Sequence, residues 1–186
     1  MKENELKNKK NIDEPKTDIK KEIISWIKAG ILTLVIYLFI NLFVFTARVD
    51  GPSMLPTFTH GDLIFVNRIA YTLPKGLPDY EDIVIFNNEI RGYDIIKRVI
   101  GLPGDHIEVK DNEVYRNGTL LQEPYLADEI ITEGNIDEIV QEGHIFVLGD
   151  NRPNSADSRI SDIGQVSIDD VMGRVFVRVI PNFRIF

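Results

Sequence analysis

The 186-residue chain contains no cysteine. That excludes a disulfide framework, a thiolate nucleophile and any cysteine-ligated zinc site. Histidine is scarce. His60 and His106 lie in turns beside Gly61 and Asp105, and His144 precedes a strand. None stands in a recognisable triad. Basic charge is also short: the formal net charge is −8, which argues against a nucleic-acid partner. No internal repeat is visible. Beyond residue 47 no stretch keeps a helical period over 12 residues. Neither a metal nor a nucleotide cofactor is implied.

What the chain does have is one long apolar run. Residues 29–47, AGILTLVIYLFINLFVFTA, carry no charge. As a helix they would span about 28 Å, close to the hydrocarbon thickness of a bilayer. Ile23, Ile24, Trp26 and Ile27 extend the run, and Trp26 suits an interface. A cleaved secretory signal is the competing reading. Its apolar region is shorter and ends in a small-x-small site, which Phe45-Thr46-Ala47 matches poorly. A buried soluble helix is disfavoured by Lys28 and Arg48 at the ends. The expected organisation is a disordered cytoplasmic tail over 1–22, a transmembrane anchor over 23–47 and an external domain over 48–186. Eight lysines precede the span and only Arg48 follows closely, so the positive-inside rule puts the N-terminus in the cytoplasm.

The external part reads as all-β. Residues 63–68, 82–86, 94–100, 145–148 and 171–180 form apolar strands between Gly, Pro and Asp turns. Pro74, Gly76 and Pro78 mark a loop. Ile107, Val109, Val114 and Tyr115 continue short strands, with a turn at Asn117-Gly118. Residues 109–142 form a smaller inserted β region, within which 122–142 are acidic and weakly patterned.

Three segments carry possible chemistry. In Gly51-Pro52-Ser53-Met54-Leu55-Pro56, two prolines fix φ and remove backbone donors, so Ser53 sits on a stiffened extended loop. A proline-kinked linker is the plainer reading. Serine becomes a nucleophile only when a base takes its proton. Lys97 is a candidate base because it lies inside an apolar strand, where burial lowers an amine's pKa. On the strand alone, a solvated face is the favoured reading of Lys97. The third segment, Gly149 to Arg159, is rich in side chains that bond their own backbone. Ser155 is a possible donor to a neutral amine, and Asp157 and Arg159 a possible ion pair. A calcium loop fits poorly, since Arg152, Pro153 and Arg159 interrupt the alternating oxygens.

Together these segments resemble the short Gram-positive form of the bacterial type I signal peptidases. The likeness runs through the anchor, Gly51 to Thr57, Gly61-Asp62, Lys97 to Asp105 and Gly149 to Arg159, in the family's order. The resemblance implies a membrane-bound serine endopeptidase with a signal-peptidase/repressor-protease-like fold. It implies removal of signal peptides from exported preproteins, beside a lipid bilayer, with cleavage after small residues of Ala-x-Ala type. Ser53 is then the nucleophile and Lys97 the general base. Ser155 matches the serine that orients the lysine amine, and Asp157 and Arg159 match the supporting ion pair. Met54, Ile96 and Val49 are expected in shallow pockets for alanine-sized side chains. The Ser53 N–H is the expected oxyanion donor. Gly51 stands where one branch of the family has a second, hydroxyl donor, so no side-chain contribution is expected. Self-cleaving repressors share the Ser/Lys fold but are soluble and bind DNA. A sortase requires a cysteine. A membrane-anchored β domain that only binds other envelope proteins would not need Lys97.

Overall fold

The computed structural model describes residues 19–71, 76–127 and 130–186. The expected tail therefore lies largely outside the described residues, as does Pro74 of the expected loop. The first element is α1, Ile19–Phe43. It begins and ends four residues earlier than the anchor expected over 23–47. Its apolar side chains are exposed all round, Trp26, Leu34 and Phe39 among them. Among the described residues it is the one helix long and apolar enough to cross a membrane.

The chain then forms β1 (Val44–Arg48), β2 (Leu63–Asn67), β3 (Ile83–Asn88), β4 (Tyr93–Gly101), β5 (His106–Lys110) and β6 (Glu113–Arg116). It continues with β7 (Thr119–Leu120), β8 (Ile136–Ile139), β9 (His144–Leu148), β10 (Val166–Ser167), β11 (Val171–Ile180) and β12 (Arg184–Ile185). All the pairings are antiparallel. The larger sheet runs β1-β2-β11-β3-β4-β9-β10, with β12 on β11; the smaller runs β7-β6-β5-β8.

β1 corrects the expected anchor end. Val44-Phe45-Thr46-Ala47 is apolar enough to extend a helix, but it pairs with β2, from Val44 opposite Asn67 to Arg48 opposite Leu63. Phe45 and Ala47 pack on the core while Thr46 and Arg48 are exposed. That alternation is the two-residue period of a half-buried strand. The smaller sheet also starts earlier than expected, at His106 rather than Val109. Its β6–β7 hairpin turns at Asn117-Gly118, both at positive φ (55° and 75°), as a two-residue turn of this kind requires, and β5–β6 turns likewise at Asp111-Asn112.

Among the described residues, three apolar clusters hold the domain. One gathers Val49, Met54, Phe58, Ile64, Val66, Ile83, Ile85 and Val175 beside the Ser53 turn. A second lies along β3, β4 and β9, around Val84, Phe86, Val99 and Val147. A third joins Ile100, Phe146 and Leu148 to Ile107, Val109 and Val114 of the smaller sheet. Each fully buried Phe or Ile contributes on the order of 1.5–3 kcal/mol.

One feature of register opens the site. β9 pairs only with the second half of β4, Arg98 with Leu148, Val99 with Val147 and Gly101 with Phe146. Beyond Leu148 the chain leaves the sheet at Gly149. The first half of β4, Tyr93 to Lys97, therefore has β3 on one side and, among the described residues, no strand on the other.

Candidate active site

The Ser53 turn and the loop after β9 meet at this break in pairing. The Asn151 N–H donates to the Ser53 carbonyl oxygen at 2.9 Å. The Asn151 side-chain amide donates to the Pro52 carbonyl oxygen at 3.0 Å. Inside the turn, the Leu55 N–H closes on Pro52 O and the Phe58 N–H on Met54 O. These bonds hold the serine's backbone from both sides. The Ser53 N–H itself has no acceptor among the described residues.

Lys97 enters from β4 and is 3 % exposed. Its Nζ lies 2.9 Å from Ser53 Oγ and 2.8 Å from the Ile96 carbonyl oxygen. Among the described residues it forms no ion pair. Burial therefore disfavours its ammonium form, and Arg91 and Arg159 push the same way. Asp157 and Asp150 oppose them from a distance. The balance brings the amine down to about 8. The solvated-face reading of Lys97 is excluded by this burial.

Asp157 is fully buried and takes Arg159 in a fork, Nε to Oδ1 at 2.8 Å and Nη2 to Oδ2 at 2.9 Å. It also accepts the Gly149 N–H at 3.1 Å. Next to the dyad, Arg98 forks onto Asp150 at 2.9 and 2.7 Å, and Thr57 Oγ1 donates to Asp150 at 2.5 Å. Thr57 follows Ser53 by four residues, Arg98 follows Lys97, and Asp150 follows Gly149. One buried ion pair thus ties together the three segments that form the site.

Two expected residues stand differently. Ser155 Oγ is buried yet has no hydrogen-bond partner, so it does not bond Lys97. Met54 is wholly buried in the core and does not line the cleft. Val49 and Ile96 do line the cleft, a cavity of about 520 Å³. It is lined by Phe45, Ala47 to Gly51 and Tyr93 to Lys97, with Ser53, Ile64, Ile85 and Ala156. Nothing before the fold pointed to Phe45, Ala47 or Tyr93, because the break in strand pairing is not written in any local pattern. No histidine takes part: His60 pairs with Asp50 at 3.0 Å and His106 with Asp137 at 2.6 Å, while the His144 ring meets the Glu142 carbonyl oxygen.

A buried, unpaired lysine against a serine hydroxyl, beside a shallow apolar cleft, is the arrangement of a Ser/Lys hydrolase. Residues 23–180 match the family described as signal peptidase, peptidase S26. This chain belongs to that family. It is 39% identical over 151 residues to signal peptidase I S of Bacillus subtilis (strain 168), across 75% of this chain and 80% of that protein. It is 36% identical over 159 residues to signal peptidase I of Bacillus licheniformis, across 79% and 83%. A solved signal peptidase I from Enterococcus faecalis V583 is 38% identical, covers 53% of this chain and 96% of that one, and has a TM-score of 0.46. This family member is a serine endopeptidase with an all-β domain after one N-terminal apolar helix.

Proposed function

We propose that this signal peptidase uses Ser53 as nucleophile and neutral Lys97 as general base to cut N-terminal signal peptides from exported preproteins. The observation that carries the reading is the 2.9 Å contact between Ser53 Oγ and a lysine amine held down to about 8 by burial. At that pKa a substantial fraction of the amine is neutral near pH 7 to 8. Its lone pair then accepts the Ser53 proton as Oγ attacks the scissile carbonyl carbon. The free Ser53 N–H is suited to receive the oxyanion. The C–N bond breaks, Lys97 hands its proton to the leaving amine, and the signal peptide stays esterified to Ser53. Lys97 next takes a proton from water. The hydroxide attacks the ester, and Ser53 leaves with the proton restored.

The substrate backbone fits the cleft as an added strand, since Tyr93 to Ile96 keep a free edge there. Val49 and Ile96 are suited to alanine-sized side chains. The Asp157–Arg159 pair fixes the loop that carries Ser155, whose hydroxyl stands unpaired near the site. The helix anchors the protein in the cytoplasmic membrane, N-terminus inside and residues 48–186 outside. Substrates carry their own apolar segment, and confining both partners to one bilayer raises their effective concentration.

The test is cleavage of a preprotein with an Ala-x-Ala site by the detergent-solubilised protein, with the cut mapped by mass. Wild type should cut after the second alanine. Folded Ser53→Ala and Lys97→Met should not cut. A wild type inert on several such substrates would favour an anchored binding domain.

A further inference from the structure

The loop from Gly149 to Arg159 carries four charges. Asp157 pairs with Arg159 inside the loop, and Asp150 pairs with Arg98 of β4. Arg152 is left without a carboxylate from either source, although its side chain is completely buried. A buried guanidinium without a counter-charge is strongly disfavoured. Its counter-charge comes from the acidic, weakly patterned stretch between β7 and β8. Arg152 Nη1 donates to Glu123 Oε2 at 3.0 Å, and Nη2 to Glu123 Oε1. Nη1 also meets Thr132 Oγ1, and Nε reaches back to the Gly149 carbonyl oxygen at 3.1 Å. The Glu133 carbonyl oxygen accepts from Arg159 Nη1 at 2.9 Å. The same stretch reaches the dyad by a second route. Tyr125 donates to Glu123 at 2.6 Å, and the Arg98 guanidinium lies 3.9 Å over the Tyr125 ring.

We propose that this stretch is a positioning arm for the catalytic loop, with Glu123 acting through Arg152 to keep Asn151 on the Ser53 carbonyl and Lys97 shut from water. The proposal rests on the dyad reading above. Glu123 bonds neither Ser53 nor Lys97 and does not line the cleft, so it is a positioning residue. Loss of its charge loosens the loop that closes over the amine. Lys97 then regains water, and of its charged neighbours Asp150, Asp157 and Arg159 move with the loop while Arg91 stays in the turn before β4.

The experiment compares wild type, Glu123→Gln and the double variant Glu123→Leu with Arg152→Met in preprotein cleavage across pH. Glu123→Gln, still folded at the assay temperature, should lose about 100-fold in kcat, the scale of a small misplacement at the reacting groups. KM should stay within about twofold, because the cleft walls are untouched. The acid limb should move to higher pH as the amine rehydrates, a change that a smaller folded fraction alone does not produce. The double variant replaces a buried pair with apolar side chains of similar size and should recover about tenfold over Glu123→Gln. A folded Glu123→Gln with wild-type kcat and acid limb overturns the arm. So does a loss that only tracks the unfolded fraction. An inert wild type overturns the assigned activity instead, which keeps the two failures apart.

Discussion

Gly149 and Ser155 touch so closely that residue 149 has no room for a side chain. A methyl group on Gly149 would stand 2.1 Å from Ser155 Oγ and 2.6 Å from the Ser53 carbonyl oxygen. Rotation would move Ser155 Oγ but not its Cβ, also 2.6 Å away, and the Ser53 carbonyl is held by the Asn151 N–H.

Gly149→Ala is therefore expected to push the Ser53 turn and the loop apart. Overpacking of this kind costs about 1–3 kcal/mol. Activity should fall further than stability, because the displaced atom belongs to the backbone of Ser53, the proposed nucleophile. Thermal melting and kcat on the same preparation measure the two. An active Gly149→Ala would mean that the loop has slack.

Ser155→Ala should separate stability from activity. The Ser155 hydroxyl is buried without a partner, and such a group costs about 1–3 kcal/mol. Removing it should leave the melting temperature unchanged or higher. If the hydroxyl turns to meet the Lys97 amine during turnover, kcat should nonetheless fall. A clear loss of stability would show that Ser155 is bonded in the resting protein.

Lys97 leaves its mark on stability as well as on rate. Its amine is held at about 8 in the fold against an ordinary value of about 10.5. Between those values the unfolded chain binds more protons than the folded one, so stability rises with pH. Below pH 8 the full cost of the buried amine is present. Lys97→Met removes that cost. The variant should be more stable than wild type at pH 7, and the gap should narrow between pH 8 and 10.5. Denaturant unfolding at a series of pH values measures it. A gap that does not change with pH would mean a solvated lysine.

Much of this architecture was legible beforehand, for identifiable reasons. Ile95 to Ile100 is apolar except for Lys97 and Arg98, which marks a strand, although not that Lys97 turns inward. Asn117-Gly118 carries its own turn geometry. The two prolines around Ser53 announce a fixed loop. Val44 to Arg48 was not legible as a strand, because its alternation is submerged in an apolar run long enough to be a helix. Met54 adjoins Ser53 in sequence, yet its side chain lies in the core. Glu123 and Arg152 stand 29 residues apart in segments with no period, so only the folded chain joins them. Ser155 was expected on the lysine and instead packs against Gly149.

The dyad itself is tested most directly by the pH dependence of single-turnover acylation of Ser53, followed as the signal-peptide ester by mass. The account predicts a rate that rises through a midpoint of about 8, the value at which Lys97 loses its proton, and is abolished in folded Lys97→Met. A midpoint near the ordinary histidine value of about 6.5, or acylation that persists in Lys97→Met, would contradict it.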